Sequence, residues 1–260
     1  MDLQLKDKVI IVTGGAKGIG AAIVRGCCDE SAVPVIVDRD ADAVKALQND
    51  LRERGAACGA ILADLSTPET CAQAIAQTIN DHGRIDALIN NAGINDKVGL
   101  EHGTPQDYVA SLNRNLHHYY NMAHYALPHL KETRGTIVNV SSKTALTGQG
   151  GTSGYASSKG AILALTREWA VELLDCGIRV NAVVPSEVMT PLYRRWLDTF
   201  DDPEAKLQTI LSKIPLEKRM TTPEEIASAV LFLISAKSAH TTGQYLFVDG
   251  GYVHLDRALT

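Results

Sequence analysis

The chain is 260 residues long, 45% of them hydrophobic and 21% charged, with a formal net charge of −5 at pH 7. This composition is typical of a globular protein with a sizeable core and excludes a largely disordered chain. The negative charge gives no basic surface for nucleic acid or anionic membranes, and no apolar run is long enough to span a bilayer. The five cysteines show no CxxC or Cys/His spacing, which predicts reduced thiols in a cytoplasmic protein and no metal site.

Short runs rich in valine and isoleucine alternate with longer stretches of helical periodicity. The predicted strands are 8–12, 34–37, 60–63, 87–89, 136–140, 179–184 and 245–248, and the predicted helices include 71–79, 107–130 and 155–174, with one from Gly18 and one ending at Leu51. Alternation predicts βαβ units, and strands that are apolar throughout predict a sheet covered on both faces. The predicted fold is one α/β domain over 1–260, a Rossmann-like doubly wound parallel sheet of about seven strands.

The first predicted strand continues into a glycine-rich segment, Thr13-Gly14-Gly15-Ala16-Lys17-Gly18-Ile19-Gly20. Dispersed glycines between a strand and a helix let backbone N–H groups approach a pyrophosphate, which then lies at the positive end of the helix dipole. Glycines also serve ordinary turns, but here the strand and helix that the motif requires are both predicted. The segment therefore predicts a dinucleotide-binding loop.

Asp38 ends the second predicted strand, about 20 residues past the glycines. A carboxylate there binds both hydroxyls of the adenosine ribose and repels the 2′-phosphate of NADP, so NAD is the predicted cofactor. Lys17 and Arg39 could compensate a phosphate, which leaves NADP as the alternative. Asp64, at the end of the third strand, is predicted to meet the adenine amino group.

Tyr155 and Lys159 are four residues apart and therefore share one face of a predicted helix. A phenol of pKa about 10 is a poor base at neutral pH, but a nearby ammonium lowers that pKa. This spacing also occurs in ordinary surface helices. Ser142 makes the pattern specific, because it follows a predicted strand at the sheet edge where such folds place ligand-contacting groups. The three residues predict acid/base catalysis by Tyr155 with Ser142 holding the reacting oxygen.

These segments, in this order, resemble the short-chain dehydrogenase/reductase family over residues 5–251. The matching segments are TGGAKGIG, Asp64-Leu65, NNAG at 90–93, Asn115-Leu116, the set of Ser142, Tyr155 and Lys159, then Asn181, Pro185, Thr190 and Val248-Asp249-Gly250-Gly251. The resemblance implies an NAD(P)-dependent oxidoreductase that moves a hydride between a nicotinamide ring and an alcohol or carbonyl carbon.

The same resemblance implies four catalytic roles. Tyr155 is the proton acceptor, and Lys159 lowers the pKa of that phenol and binds the nicotinamide ribose. Ser142 orients the substrate oxygen, and Asn115 holds a water that links Lys159 to solvent. The implied cofactor contacts are Gly14, Lys17, Gly18, Ile19, Gly20, Asp38, Asp64, Leu65, Asn91, Ala92, Gly93, Tyr155, Lys159, Pro185, Val188 and Thr190. One departure is Pro185-Ser186, where the family usually has Pro-Gly, and it is expected to reshape the loop near the nicotinamide amide.

Residues 141–150 and 185–196 further resemble the bacterial L-fucose dehydrogenases of this family. This implies oxidation of the C1 hydroxyl of L-fucose, or of L-galactose or D-arabinose, to the lactone. A small-sugar pocket needs polar groups for hydroxyls and one flat apolar surface. The residues predicted to line it, on a substrate loop around 186–215, are Asn95, Ser142, Lys143, Gln149, Tyr155, Glu187 and Trp196. Solvated loop charge for Lys143 and Glu187, and a lid anchor for Trp196, are equally consistent interpretations.

Two other functions stay open at this point. One is a dehydrogenase or reductase for another small hydroxy or keto compound, including a steroid-like ketone. The other is a nicotinamide-sensing protein with an inactive site, which the complete catalytic set disfavours. Family members are usually tetramers, so a homotetramer is expected, built on the helices 107–130 and 155–174, with the tail 252–260 closing over a neighbour's pocket. His117 and His118 are interpreted as packing or interface residues.

Overall fold

The computed structural model describes residues 2–255. Its strands are β1 Val9–Thr13, β2 Val33–Asp38, β3 Gly59–Leu62, β4 Ala87–Asn90, β5 Thr136–Val140, β6 Arg179–Pro185 and β7 Tyr245–Val248. Its α-helices are α1 Gly18–Asp29, α2 Ala41–Glu53, α3 Pro68–His82, α4 Pro105–Leu112, α5 His118–Thr133, α6 Ser153–Glu172, α7 Pro191–Leu197, α8 Pro203–Leu211 and α9 Pro223–Ile234. No helix within 2–255 is both long enough and apolar enough to cross a bilayer.

All seven strands pair in parallel in one sheet, in the order β3-β2-β1-β4-β5-β6-β7. The doubly wound parallel sheet that the sequence predicts is therefore confirmed. The chain builds outward from β1 to β3 and then crosses back to place β4 on the other side of β1. This reversal opens a crevice at the carboxyl ends of β1 and β4, where such folds bind their ligands.

The central strands β1, β4 and β5 bury both of their faces. In β1, Ile10 and Val12 pack into a core shared with α1, α2 and α9, while Val9 and Ile11 pack into a second core shared with α3, α5 and α6. Successive side chains of a strand point to opposite faces, so a strand between two helical layers is expected to be mostly apolar on both faces. This is why the strands lack the apolar–polar alternation of a half-exposed sheet.

Five of the helices begin with the same two-residue signal. A threonine or aspartate caps the helix by accepting a backbone N–H bond, and a proline follows at the first helical turn. The capping residues are Thr67, Thr104, Thr190, Asp202 and Thr222. Proline suits this position because its missing N–H has no intrahelical partner there. Two of these helices, α7 and α8, lie within the predicted substrate loop around 186–215.

The single helix predicted over 107–130 is not continuous. Between α4 and α5 the chain makes a π-helical turn over Asn113–His117, which holds one extra residue per turn. The turn places Asn115 in the interior, where its side chain accepts from Ile94 N–H at 2.7 Å and donates to Ser111 C=O at 3.1 Å. A 3.6-residue periodicity cannot show this insertion. The predicted tail is described as far as Leu255, and its remaining residues lie outside the described part of the chain.

Candidate active site

A cleft of about 460 Å³ lies at the carboxyl ends of the strands. It is lined by every residue that the sequence predicted to contact the dinucleotide, from Gly14 in the glycine loop to Thr190 at the start of α7. Ser142, Tyr155 and Lys159 border the same cleft. Residues that are far apart in the chain thus meet here, because β1, β2, β4, β5 and β6 all end at one edge of the sheet.

The glycine loop lies flat against the start of α1. Gly14 has a φ of +61°, a left-handed conformation that favours glycine, and a Cβ at Gly20 would overlap the Gly14 carbonyl oxygen. The first turn of α1 has no acidic side chain, so the positive end of its dipole is free to attract an anion. A loop that only glycine fits, ending at a bare helix N-terminus, suits the pyrophosphate of a dinucleotide.

Asn91 fastens this loop to the neighbouring strand. Its side-chain amide donates to the carbonyl oxygens of Thr13 at 2.9 Å and Gly14 at 3.1 Å. Asn90 similarly donates to Asn139 Oδ1 at 3.1 Å, which joins β4 to β5. The NNAG segment therefore holds the corner of the cleft together as well as bordering it.

Asp38 is held in one orientation at the adenosine end. Its carboxylate accepts from the backbone N–H of Ala16 at 3.1 Å and of Asp40 at 3.0 Å. The two cations that could favour a phosphate are both engaged, because Lys17 pairs with Asp40 and Arg39 pairs with Asp64 at 3.4 Å. The negative charge of Asp38 therefore has no unpaired cation beside it among these residues.

Ser142 directs a hydroxyl hydrogen toward Tyr155. The Ser142 oxygen accepts from the Thr144 backbone N–H at 3.2 Å and from the Thr144 hydroxyl at 3.1 Å. With both acceptor positions occupied, the Ser142 O–H is left to donate, and its bond to Tyr155 lowers the pKa of that phenol. Thr144 thus orients Ser142, a role that the sequence did not predict.

Lys159 is fully buried and lies close to Tyr155. Its ammonium nitrogen is 5.6 Å from the centre of the Tyr155 ring, and burial lowers the pKa of Lys159 to about 7. Burial also raises the pKa of Tyr155 to about 12, which outweighs the effect of Ser142. A protonated Lys159 at this distance favours the phenolate and would oppose the rise in the Tyr155 pKa that burial causes.

The structure does not bring five predicted pocket residues to the cleft: Asn95, Lys143, Gln149, Glu187 and Trp196. Gln149 is exposed to solvent, and Asn95 accepts from the Lys97 backbone N–H at 3.2 Å. Trp196 packs edge-on against Tyr193 and Phe200.

Lys143 and Glu187 form a buried ion pair instead of solvated charges. Their side chains are only 9% and 13% exposed. The second oxygen of Glu187 accepts from the Tyr193 hydroxyl at 2.7 Å, and the Lys143 ammonium lies 4.0 Å from the centre of the Tyr252 ring. This cluster joins the loop after β5, the loop after β6 and the start of α7 behind the cleft.

Tyr193 and Ser186 are among the further residues that border the cleft and that the sequence did not single out as contacts. Tyr193 lies on α7, and Ser186 follows β6 where the family usually has glycine. The Ser186 hydroxyl is buried and has no hydrogen-bond partner among the described residues. Its departure from the family pattern was the only sequence signal for it. His118 is buried and borders the cleft, whereas His117 is exposed, so their interpretation as packing or interface residues stays a prediction.

Comparison with known proteins agrees with this geometry. A family model described as enoyl-(acyl carrier protein) reductase matches residues 14–253. The L-fucose dehydrogenase of Oryctolagus cuniculus is 37% identical over 94% of this chain and 84% of that protein. The 3-oxoacyl-(acyl-carrier-protein) reductase of Thermotoga maritima is 34% identical over 96% of this chain and 100% of that protein. The solved structure of the Cj0485 dehydrogenase covers 100% of this chain and 99% of its own, with 45% identity and a TM-score of 0.94.

The fold and cleft define an oxidoreductase that binds a nicotinamide dinucleotide. The chain belongs to the short-chain dehydrogenase/reductase family, as the family model over most of its length shows. Members of this family act on CH–OH groups with NAD(P)(H). The glycine loop and the bare N-terminus of α1 fit such a cofactor.

Proposed function

We propose that the protein is an NAD-dependent sugar dehydrogenase that oxidises the C1 hydroxyl of L-fucose, or of L-galactose or D-arabinose, to the lactone. The observation that carries the chemistry is the meeting of Ser142, Tyr155 and Lys159 in the dinucleotide cleft. The sugar is supported by the relative named L-fucose dehydrogenase, which is similar over nearly the whole chain.

Each catalytic side chain has a separate task in this reaction. When bound, the nicotinamide supplies the hydride acceptor. Tyr155, as phenolate, takes the proton of the C1 hydroxyl, and Ser142 donates a hydrogen bond to the same oxygen. Lys159 stabilises the phenolate through its positive charge and binds the nicotinamide ribose, and Asn115 supports a water that exchanges protons with Lys159. A cyclic hemiacetal suits this site, because its oxidation needs no ring opening.

The preference for NAD is supported by the surroundings of Asp38. Its carboxylate is fixed by two backbone N–H groups, and Lys17 and Arg39 are each paired with another carboxylate. A 2′-phosphate would therefore meet the negative charge of Asp38, while Lys17 and Arg39 are paired with other carboxylates.

The substrate end of the cleft offers hydroxyl groups suited to a small polyol. Ser142, Tyr155, Ser186 and Tyr193 all border it. The Ser186 hydroxyl is buried in this wall without a hydrogen-bond partner among the described residues. The buried Lys143–Glu187 pair supports this wall through Tyr193.

A second candidate is a reductase or dehydrogenase for another small hydroxy or keto compound. The Thermotoga maritima relative, which is named a 3-oxoacyl-(acyl-carrier-protein) reductase, is 34% identical to this chain over its full length. This is close to the 37% identity of the L-fucose dehydrogenase, so the relatives also support the second candidate. Because Ser142, Tyr155 and Lys159 all border one cleft, an inactive nicotinamide sensor is disfavoured.

A substrate panel tests the proposal. Initial rates of NADH and NADPH formation would be measured with L-fucose, L-galactose, D-arabinose, D-glucose and simple secondary alcohols, and the reverse reaction with small ketones and a 3-oxoacyl thioester. We expect the fastest turnover with L-fucose or its stereochemical relatives and NAD. Turnover of ketones or 3-oxoacyl thioesters with none of the sugars would reject the sugar proposal in favour of the second candidate.

A further inference from the structure

Tyr119 is a second phenol beside the catalytic lysine, and the catalytic roles described above do not use it. It lies in the first turn of α5, and its side chain is completely buried. The Tyr119 hydroxyl accepts a hydrogen bond from the Lys159 ammonium at 2.9 Å and donates one to the Val140 carbonyl oxygen at 2.9 Å. It therefore contacts the lysine that supports Tyr155.

The lysine has two protein acceptors at this point. Besides Tyr119, its ammonium donates to the Val140 carbonyl oxygen at 2.7 Å. The two acceptors and the ammonium form a closed triangle of hydrogen bonds at the end of β5, two residues before Ser142. A buried ammonium is stable only when such acceptors replace water. Without the Tyr119 oxygen, the Lys159 ammonium would keep only the Val140 carbonyl oxygen of these two acceptors.

We propose that Tyr119 is a positioning residue for hydride transfer: its hydroxyl holds the Lys159 ammonium at the end of β5, where the positive charge supports the Tyr155 phenolate. The proposal rests on the dehydrogenase chemistry above but not on the identity of the sugar. A tyrosine here ties α5 to both the catalytic helix α6 and the strand β5 through one oxygen atom.

Tyr119 does not carry protons to solvent. Its side chain has no exposed surface, and its hydroxyl hydrogen is directed at a backbone carbonyl, which cannot pass it on. The other ionisable groups facing Lys159 are Tyr155 on its own helix and His118 on α5. Burial lowers the pKa of His118 to about 4, so this histidine is neutral in the working range and adds no competing charge.

The sign of the expected effect follows from these contacts. A hydrogen bond accepted from the charged form of lysine raises its pKa, opposing the desolvation that lowers the pKa of Lys159 to about 7. Without Tyr119 the ammonium is less stable and less fixed, so the Tyr155 phenolate is harder to form. The pH at which alcohol oxidation becomes fast should then move upward.

Tyr119→Phe tests the proposal, because it removes only the hydroxyl. We expect kcat for alcohol oxidation at neutral pH to fall by about tenfold or more, as for the loss of a hydrogen bond to a charged group. We expect the rising limb of the pH–rate profile to shift upward by about one unit. NADH affinity, measured by fluorescence titration, should weaken severalfold because Lys159 also binds the ribose.

Tyr245→Phe is the matched control. The Tyr245 hydroxyl also donates to a backbone carbonyl, that of Leu163 on α6 at 2.6 Å, but outside the cleft lining. This variant should leave the pH profile and NADH affinity unchanged. An equal shift in both phenylalanine variants would mean a general effect on α6 and would overturn the proposal, as would a wild-type profile in Tyr119→Phe.

A double-mutant cycle separates positioning from simple stabilisation. In a Lys159→Met background the Tyr119 hydroxyl has no ammonium to hold, so adding Tyr119→Phe should change NADH affinity no further. A second loss of the same size in that background would overturn the proposal. The NADH measurement needs no substrate, so the proposal can fail or hold independently of the sugar assignment.

Discussion

Tyr155 has one oxygen atom on which the proposed proton transfer depends. Tyr155→Phe keeps the ring and its packing but removes the proton acceptor, so turnover should fall by about three orders of magnitude. NADH affinity should stay near the wild-type value, because the loop and carboxylates that bind the dinucleotide are untouched. Steady-state rates and fluorescence titration check the two expectations, and turnover within a factor of about ten of wild type would contradict the proposed role.

The charge of Asp38 is expected to decide between the two nicotinamide cofactors. Asp38→Ser removes the carboxylate that we propose faces the 2′ position, and the ratio of kcat/KM with NAD to that with NADP should fall at least about tenfold. Asp42→Ser is the control, because it removes the same charge from the exposed first turn of α2. If both variants changed the ratio equally, the change would be caused by the net charge of the protein and not by the position of the Asp38 carboxylate.

At the scale of elements, the Lys143–Glu187 pair fastens two loops that approach the cleft from neighbouring strands, β5 and β6. Lys143→Met leaves the Glu187 carboxylate buried without its cation, which should cost about 3 kcal/mol in the free energy of unfolding. Urea denaturation measures this cost. Adding Glu187→Gln should restore part of the stability, since no unpaired charge is then buried.

An exposed pair serves as the comparison for this element-scale prediction. Arg194 bonds Asp198 and Glu204, but all three side chains are largely in solvent. Arg194→Met should therefore change the unfolding free energy little. A loss in Lys143→Met no greater than in Arg194→Met would show that the Lys143–Glu187 pair does not stabilise the loops.

At the scale of the whole molecule, we expect the chain to assemble as a homotetramer through α5 and α6. Apolar side chains on this side remain exposed, with Tyr120 54% and Val171 69% exposed. Light scattering should give four times the chain mass, and Val171→Glu should lower it. Leu100→Glu, which charges an exposed leucine in a turn outside both helices, should not. A wild-type mass of one chain would contradict the expectation.

The sequence by itself determined the sheet, its parallel pairing and the glycine-rich loop that borders the cleft. These features depend on local signals, such as apolar runs of strand length and glycines at fixed spacing between a strand and a helix. Ser142, Tyr155 and Lys159 could be predicted because strand ends and helix faces place them without further information. The caps that begin five of the helices are local as well.

The tertiary structure decided the contacts between residues distant in the chain. Lys159 meets Tyr119 across 40 positions, and Lys143 meets Glu187 across 44. No periodicity connects such residues, so their charges looked like solvated or pocket-lining groups in the sequence. The π-helical turn at Asn115 was also hidden, because one extra residue leaves a helical pattern on both sides of it. Local signals fix elements, but the partners of a buried charge depend on how those elements pack, since only packing removes water from it.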